Sequence, residues 1–148
     1  MEGEKSVNRF GWCIVTTLFS LASGISVCSA DTCGHIVWRG DYEKAREYAV
    51  STSRALMVVL TKQGCPECVS LVRRIASSPE YREALQNSMV AVIVDSDAVS
   101  YPIELYYTTV YPALFIVEST TEIFLTPPCR GEECLALPPL PERKKNKR

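Results

Sequence analysis

The chain has 148 residues, 47% of them apolar and 22% charged, with a formal net charge of −1. That length suits one domain with an ordinary core, the composition is that of a globular protein, and the near-neutral balance argues against nucleic acid as a main partner. The charge is uneven: Asp31 to Pro141 holds 9 Lys and Arg against 14 Asp and Glu, while Glu142 to Arg148 carries five basic side chains.

Residues Phe10 to about Ala30 carry no charge, follow Lys5 and Arg9, and end in Cys28-Ser29-Ala30 before Asp31. This pattern predicts a secretory signal peptide over 1–30. The stretch is nearly long enough to span a bilayer, so an uncleaved N-terminal anchor through residues 10–30 is the alternative. The expectation is an exported protein, with the periplasm as its compartment and secretion, a lumenal site or membrane anchorage as other outcomes. Seven cysteines agree with an oxidising compartment. Removal of the leader takes Cys13 and Cys28 and leaves Cys33, Cys65, Cys68, Cys129 and Cys134, an odd set in which Cys33 is the expected spare.

In the following segment, His35 to Trp38 predicts a short first strand. Asp41 then caps a helix with Tyr42, Ala45, Tyr48 and Ala49 at helical spacing. His35 has no partner spacing around it and is read as solvated or structural. Leu56-Met57-Val58-Val59-Leu60 predicts a buried strand. Gly64 breaks it, and Val69, Val72 and Ala76 then recur at helical steps with Arg73 and Arg74 opposite. Ser78 before Pro79 restarts a helix whose apolar face is Tyr81, Ala84 and Leu85. Met89 to Val94 is the next buried strand, Ile103 to Tyr107 a short helix, and Ala113 to Val117 a strand opened by Tyr111-Pro112. Glu122 to Leu125 closes a hairpin. Residues 127–148, rich in proline and then basic, read as an exposed, partly disordered tail.

The chemistry-bearing residues sit where the central strand gives way to a helix: Cys65-Pro66-Glu67-Cys68. Pro66 suits the first helical position, where its missing N–H is harmless. Cys65 then faces the unpaired N–H groups and the positive end of the helix dipole, which favour the reactive thiolate. Cys68, three residues on, returns to the same side within disulfide reach. Cys65 therefore reads as the attacking thiol and Cys68 as the resolving one. Glu67 opposes the dipole. At about 6 Å in a water-like dielectric its repulsion is roughly 0.7 kcal/mol, against roughly 0.3–1 kcal/mol from the helix end. This near-balance predicts a thiol only modestly acidified, and a pair suited to reducing or isomerising more than to donating disulfides.

Other uses of these cysteines stay open. C-x-x-C is also half of a zinc site, with Cys129 and Cys134 able to supply the other half. Cys129 and Cys134 also suit a local disulfide in the tail, either a structural clip or a mobile pair exchanging with Cys65.

Strand, glycine, CPEC, helix and a later Tyr111-Pro112 together resemble the thioredoxin superfamily, and within it the exported thioredoxin-like members, over about Trp38 to Leu125. The resemblance implies an α/β thioredoxin-like domain over 31–126, with a central mixed sheet of four or five strands flanked by helices. It implies a cis peptide before Pro112 lying against the active-site disulfide, with Tyr111 lining the substrate groove. It also implies thiol–disulfide exchange on protein thiols and disulfides, no bound cofactor, and a separate redox partner protein. The chain departs from cytosolic thioredoxin in several places. Gln63-Gly64 precedes the motif where a tryptophan is usual, Val59 stands where the family has a buried acid, and Pro-Glu replaces Gly-Pro. The terminal helix is missing, which predicts one sheet face less covered. The alternative function is a non-catalytic thioredoxin-like binding module.

Overall fold

A computed structural model of the chain describes residues 35–98 and 100–142. All belong to the unit Asp31–Arg148. The expected leader or anchor, Cys13, Cys28, Cys33 and the basic residues from Arg143 onward lie outside the described residues.

Strand β2, Ala55–Thr61, is the central strand, and its Leu56 to Leu60 are all buried. A strand buried on both faces must be apolar at every position, which is why this run shows no alternation. It pairs in parallel with β3, Met89–Asp95, and antiparallel with β4, Ala113–Val117. Strand β1, Trp38–Arg39, lies parallel beyond β3, and a short β5, Cys129–Arg130, lies antiparallel beyond β4. The sheet is mixed and five-stranded, in the order β1-β3-β2-β4-β5.

The pleat sorts the side chains onto two layers. Leu56, Val58 and Leu60 face helix α1, Tyr42–Ser51, whose Tyr42, Ala45 and Ala49 are buried among them. Met57 and Val59 face helices α2, Pro66–Ser77, and α3, Pro79–Asn87, through Leu71, Ile75, Tyr81 and Ala84. The local stop and start signals act as the sequence indicates. The Asp41 carboxylate accepts from the Lys44 N–H at 3.1 Å, and Ser78 ends α2 and caps α3.

Four expectations change. The buried side of α2 is Cys68, Leu71 and Ile75, not Val69, Val72 and Ala76; Val69 is 52% exposed. Both sets share the helical spacing, and the one with Leu and Ile removes more apolar area from water. Residues Ile103 to Leu105 form a turn closed onto the Pro102 carbonyl instead of a helix, with Tyr106 buried. The hairpin return is a single bridge, Val117 with Phe124. Finally, the segment from Pro127 to Leu140 is packed, not an exposed tail. Pro127-Pro128 interrupts pairing along β4, but β5 resumes it, and Gly131–Ala136 folds as a 3-10 helix. Leu135, Leu137 and Leu140 then pack on the α2–α3 layer. The open edge of β4 and the apolar face left by the missing α-helix draw this segment in. That face is covered, though no α-helix follows β4 among the described residues.

Candidate active site

Gly64 has φ +72°, a left-handed conformation that turns the chain from β2 into α2 and strains any residue with a side chain. Cys65 follows as the N-cap of α2 with Pro66 inside the first turn. Its Sγ accepts from the Cys68 N–H at 3.1 Å, so one of the four orphan N–H groups of the helix is spent on the sulfur. Cys65 and Cys68 form a disulfide with Cα atoms 5.3 Å apart. Cys65 is half-buried and reachable, whereas Cys68 is only 4% exposed. The Glu67 carboxylate lies 4.0 Å from the Cys65 sulfur, nearer than the sequence estimate. Unit charges at that separation repel by about 1 kcal/mol in a water-like medium, before salt screening. On reduction, Glu67 therefore offsets most of what the helix end contributes to a Cys65 thiolate.

The Leu60–Ala113 pairing sets Tyr111-Pro112 beside the exit of β2, at the end of the sheet that carries Cys65. The Tyr111–Pro112 peptide is cis and Pro112 is buried. Tyr111 is half-buried; its hydroxyl donates to the Thr108 carbonyl at 3.0 Å, and the Lys62 ammonium lies 5.9 Å from its ring centroid. Val59, where a buried acid would stand, is fully buried against the α2 layer, so no carboxylate occupies that position.

Behind Pro112 lies the Cys129–Cys134 loop. These two cysteines form a second disulfide, Cα atoms 5.2 Å apart, and are 8% and 0% exposed. The Gly131 N–H donates to the Pro112 carbonyl at 2.7 Å. The Cys134 sulfur lies 3.7 Å from the same oxygen; as a disulfide sulfur it has no proton to donate. The 3-10 helix also packs against α2. One clip thus touches both the Pro112 loop and the helix that carries Cys65. The idea of a mobile pair exchanging with Cys65 loses its premise, since both sulfurs are buried. The zinc arrangement is not formed either: Cys65, Cys68, Cys129 and Cys134 make two local disulfides. Among the described residues no three His, Cys, Asp or Glu side chains gather as a metal set.

Sequence reasoning missed Gly131. Its φ of +61° suits glycine, and a Cβ there would meet Val110 Cγ1 at 2.9 Å. The signal was present, a lone glycine between two cysteines, but the reading of a disordered tail hid it.

A thioredoxin-like family model matches residues 37–119. Solved structures with the same fold include a thioredoxin from Thermus thermophilus, 20% identical, with a TM-score of 0.52 over 65% of this chain and 75% of that one. A DsbH oxidoreductase is 18% identical, with a TM-score of 0.52 over 66% of this chain and 74% of that one. No curated protein sequence matches. With the strand order, the CxxC at the β2–α2 junction and a family match over more than half of its length, the chain belongs to the thioredoxin-like family.

Proposed function

We propose that the protein is a thiol–disulfide oxidoreductase of exported proteins, working as a reductant or isomerase through Cys65 and Cys68. One observation carries this reading: a reachable sulfur capping a helix, paired with a buried one, beside a cis proline at the same end of the sheet. In the reduced enzyme the Cys65 thiolate attacks a substrate disulfide. A mixed disulfide forms and one substrate thiolate leaves. The Cys68 thiolate then attacks the Cys65 sulfur, closes the Cys65–Cys68 disulfide and releases the second substrate thiolate. Two electrons pass to the substrate, and a dithiol of a redox partner protein returns them. An isomerase cycle ends instead when a different thiolate of the same substrate attacks the substrate sulfur of the mixed disulfide, forming a new substrate disulfide and releasing the Cys65 thiolate.

Tyr111 and Pro112 serve as the platform beside the attacking sulfur. With no N–H, Pro112 presents its neighbours to a substrate strand without a competing donor. No cofactor is needed for this exchange. The charge-free stretch before Asp31 supports export, to the periplasm or another oxidising compartment, with anchorage if it is retained.

The roles are tested by trapping. Cys68→Ser should accumulate mixed disulfides with substrate proteins and Cys65→Ser none. Equal trapping by the two variants would show the assignment of attacker and resolver to be wrong.

A further inference from the structure

Beside the disulfide, on the α2 side, runs an open groove of about 680 Å³, lined in part by Thr61, Gly64, Pro66, Val69, Val72 and Arg73, with Lys62 at its β2 end. Its floor is the apolar stripe that the sequence suggested would be core: Val69 is 52% exposed and Val72 half-buried. Small residues at Thr61 and Gly64 leave it unfilled. Lys62 and Arg73 are the only charged residues that line it, both are exposed, and neither has an ion-pair partner among the described residues. Glu67 lies with its carboxylate 4.0 Å from the Cys65 sulfur, and Asp95 pairs with Thr61 across the sheet; neither lines the groove. Two exposed cations and no acid line this apolar floor, on a segment, Asp31 to Pro141, that holds 14 acids against 9 bases.

We propose that this groove selects the substrate: a protein segment with apolar residues next to its reactive cysteine and an acidic residue three or four positions away. The inference rests on the redox reading of Cys65. The register follows from the helix. Arg73 is eight residues beyond Cys65, which at 1.5 Å per residue is about 12 Å. An extended substrate advances about 3.3 Å per residue, so three or four residues from the mixed disulfide bring a carboxylate to Arg73. In the other direction Lys62, beside Tyr111, receives a second acid. The attraction is local, because the body of the domain is itself acidic and repels such a segment.

The test uses the full chain, reduced with dithiothreitol and freed of reductant, in single turnover. Two seven-residue peptides, each as its disulfide dimer, carry a central cysteine flanked by leucines and then alanines. One ends in glutamates and the other in lysines. Hydroxyethyl disulfide is the uncharged comparison. Wild type should reduce the glutamate dimer about fivefold faster than the lysine dimer at low ionic strength, as about 1 kcal/mol of attraction implies. The ratio should approach one in about 0.5 M salt. Arg73→Glu should lower the ratio to one or below, and a ratio taken within one variant cancels any change in thiol reactivity. A wild-type ratio near one, or a ratio that Arg73→Glu leaves unchanged, overturns the groove while hydroxyethyl disulfide is still reduced. If wild type fails to reduce hydroxyethyl disulfide as well, the redox reading falls and this inference falls with it.

Discussion

At Cys65 two fields of similar size and opposite sign meet. The α2 N-terminus, through the Cys68 N–H at 3.1 Å, favours the thiolate, and the Glu67 carboxylate at 4.0 Å disfavours it. Glu67→Gln removes the second and keeps the shape. We expect the Cys65 thiol to become more acidic, because a repelling charge is gone, and the pair more oxidising. The pH dependence of iodoacetamide alkylation of the reduced protein reads this directly. An unchanged profile would mean that solvent screens Glu67 fully. These residues were legible in the sequence because capping, proline placement and thiol chemistry are local rules: Cys65, Pro66 and Glu67 stand where the strand-to-helix junction put them. The buried side of α2 was not legible. Two apolar stripes satisfy one spacing, and only the packing of α2 on Met57, Val59 and Leu114 chooses Leu71 and Ile75.

Among the elements, the Cys129–Cys134 clip has the clearest consequence. It is buried, it lies across β4 in register with Leu114 and Ala113, and it holds the Pro112 carbonyl through Gly131. Mild reductant followed by alkylation and peptide mass analysis should label Cys65 and Cys68 in the native protein. Cys129 and Cys134 should be labelled only after denaturation. Labelling of all four in the native state would contradict the buried clip. In the chain-entropy picture a loop this short contributes about 2 kcal/mol, so replacing both cysteines by alanine should lower the melting temperature. Gly131→Ala adds a left-handed strain and a clash with Val110 at 2.9 Å, and should cost about 1–2 kcal/mol with slower turnover of protein substrates. The segment was misread because five prolines between Pro127 and Pro141 suggest disorder by composition. Composition does not register that β4 has an edge to pair and that a sheet face lacks its helix. The rest of the element order was readable, since continuous apolar runs and caps carry β2, β3, α1 and α3.

For the molecule as a whole, the two core layers each enclose tyrosine hydroxyls. The Tyr81 hydroxyl donates to the Pro138 carbonyl at 2.6 Å, tying α3 to the terminal segment; burial, then the nearby Glu80, pushes it up to about 12. Burial likewise pushes Tyr106 up to about 12; its hydroxyl lies 3.0 Å from that of Tyr42, which also bonds Glu122 and is raised chiefly by burial. An unfolded tyrosine ionises near pH 10, so the folded state holds these protons where the unfolded chain gives them up. The stabilisation is full below about pH 10 and is lost as pH rises toward 12. Thermal melts over that window should show a falling midpoint, and Tyr81→Phe should flatten the fall. An identical slope in the variant would mean that Tyr81 ionises as freely folded as unfolded.

The reduction potential of the Cys65–Cys68 pair tests the proposed role most directly. Equilibration with glutathione or dithiothreitol buffers, read at the Cys65 and Cys68 peptides, should give a value between about −180 and −270 mV, the span of isomerases and reductants. A value near −120 mV, that of a dedicated oxidant, would contradict the balance of fields at Cys65, and one below about −300 mV would make the pair a structural disulfide.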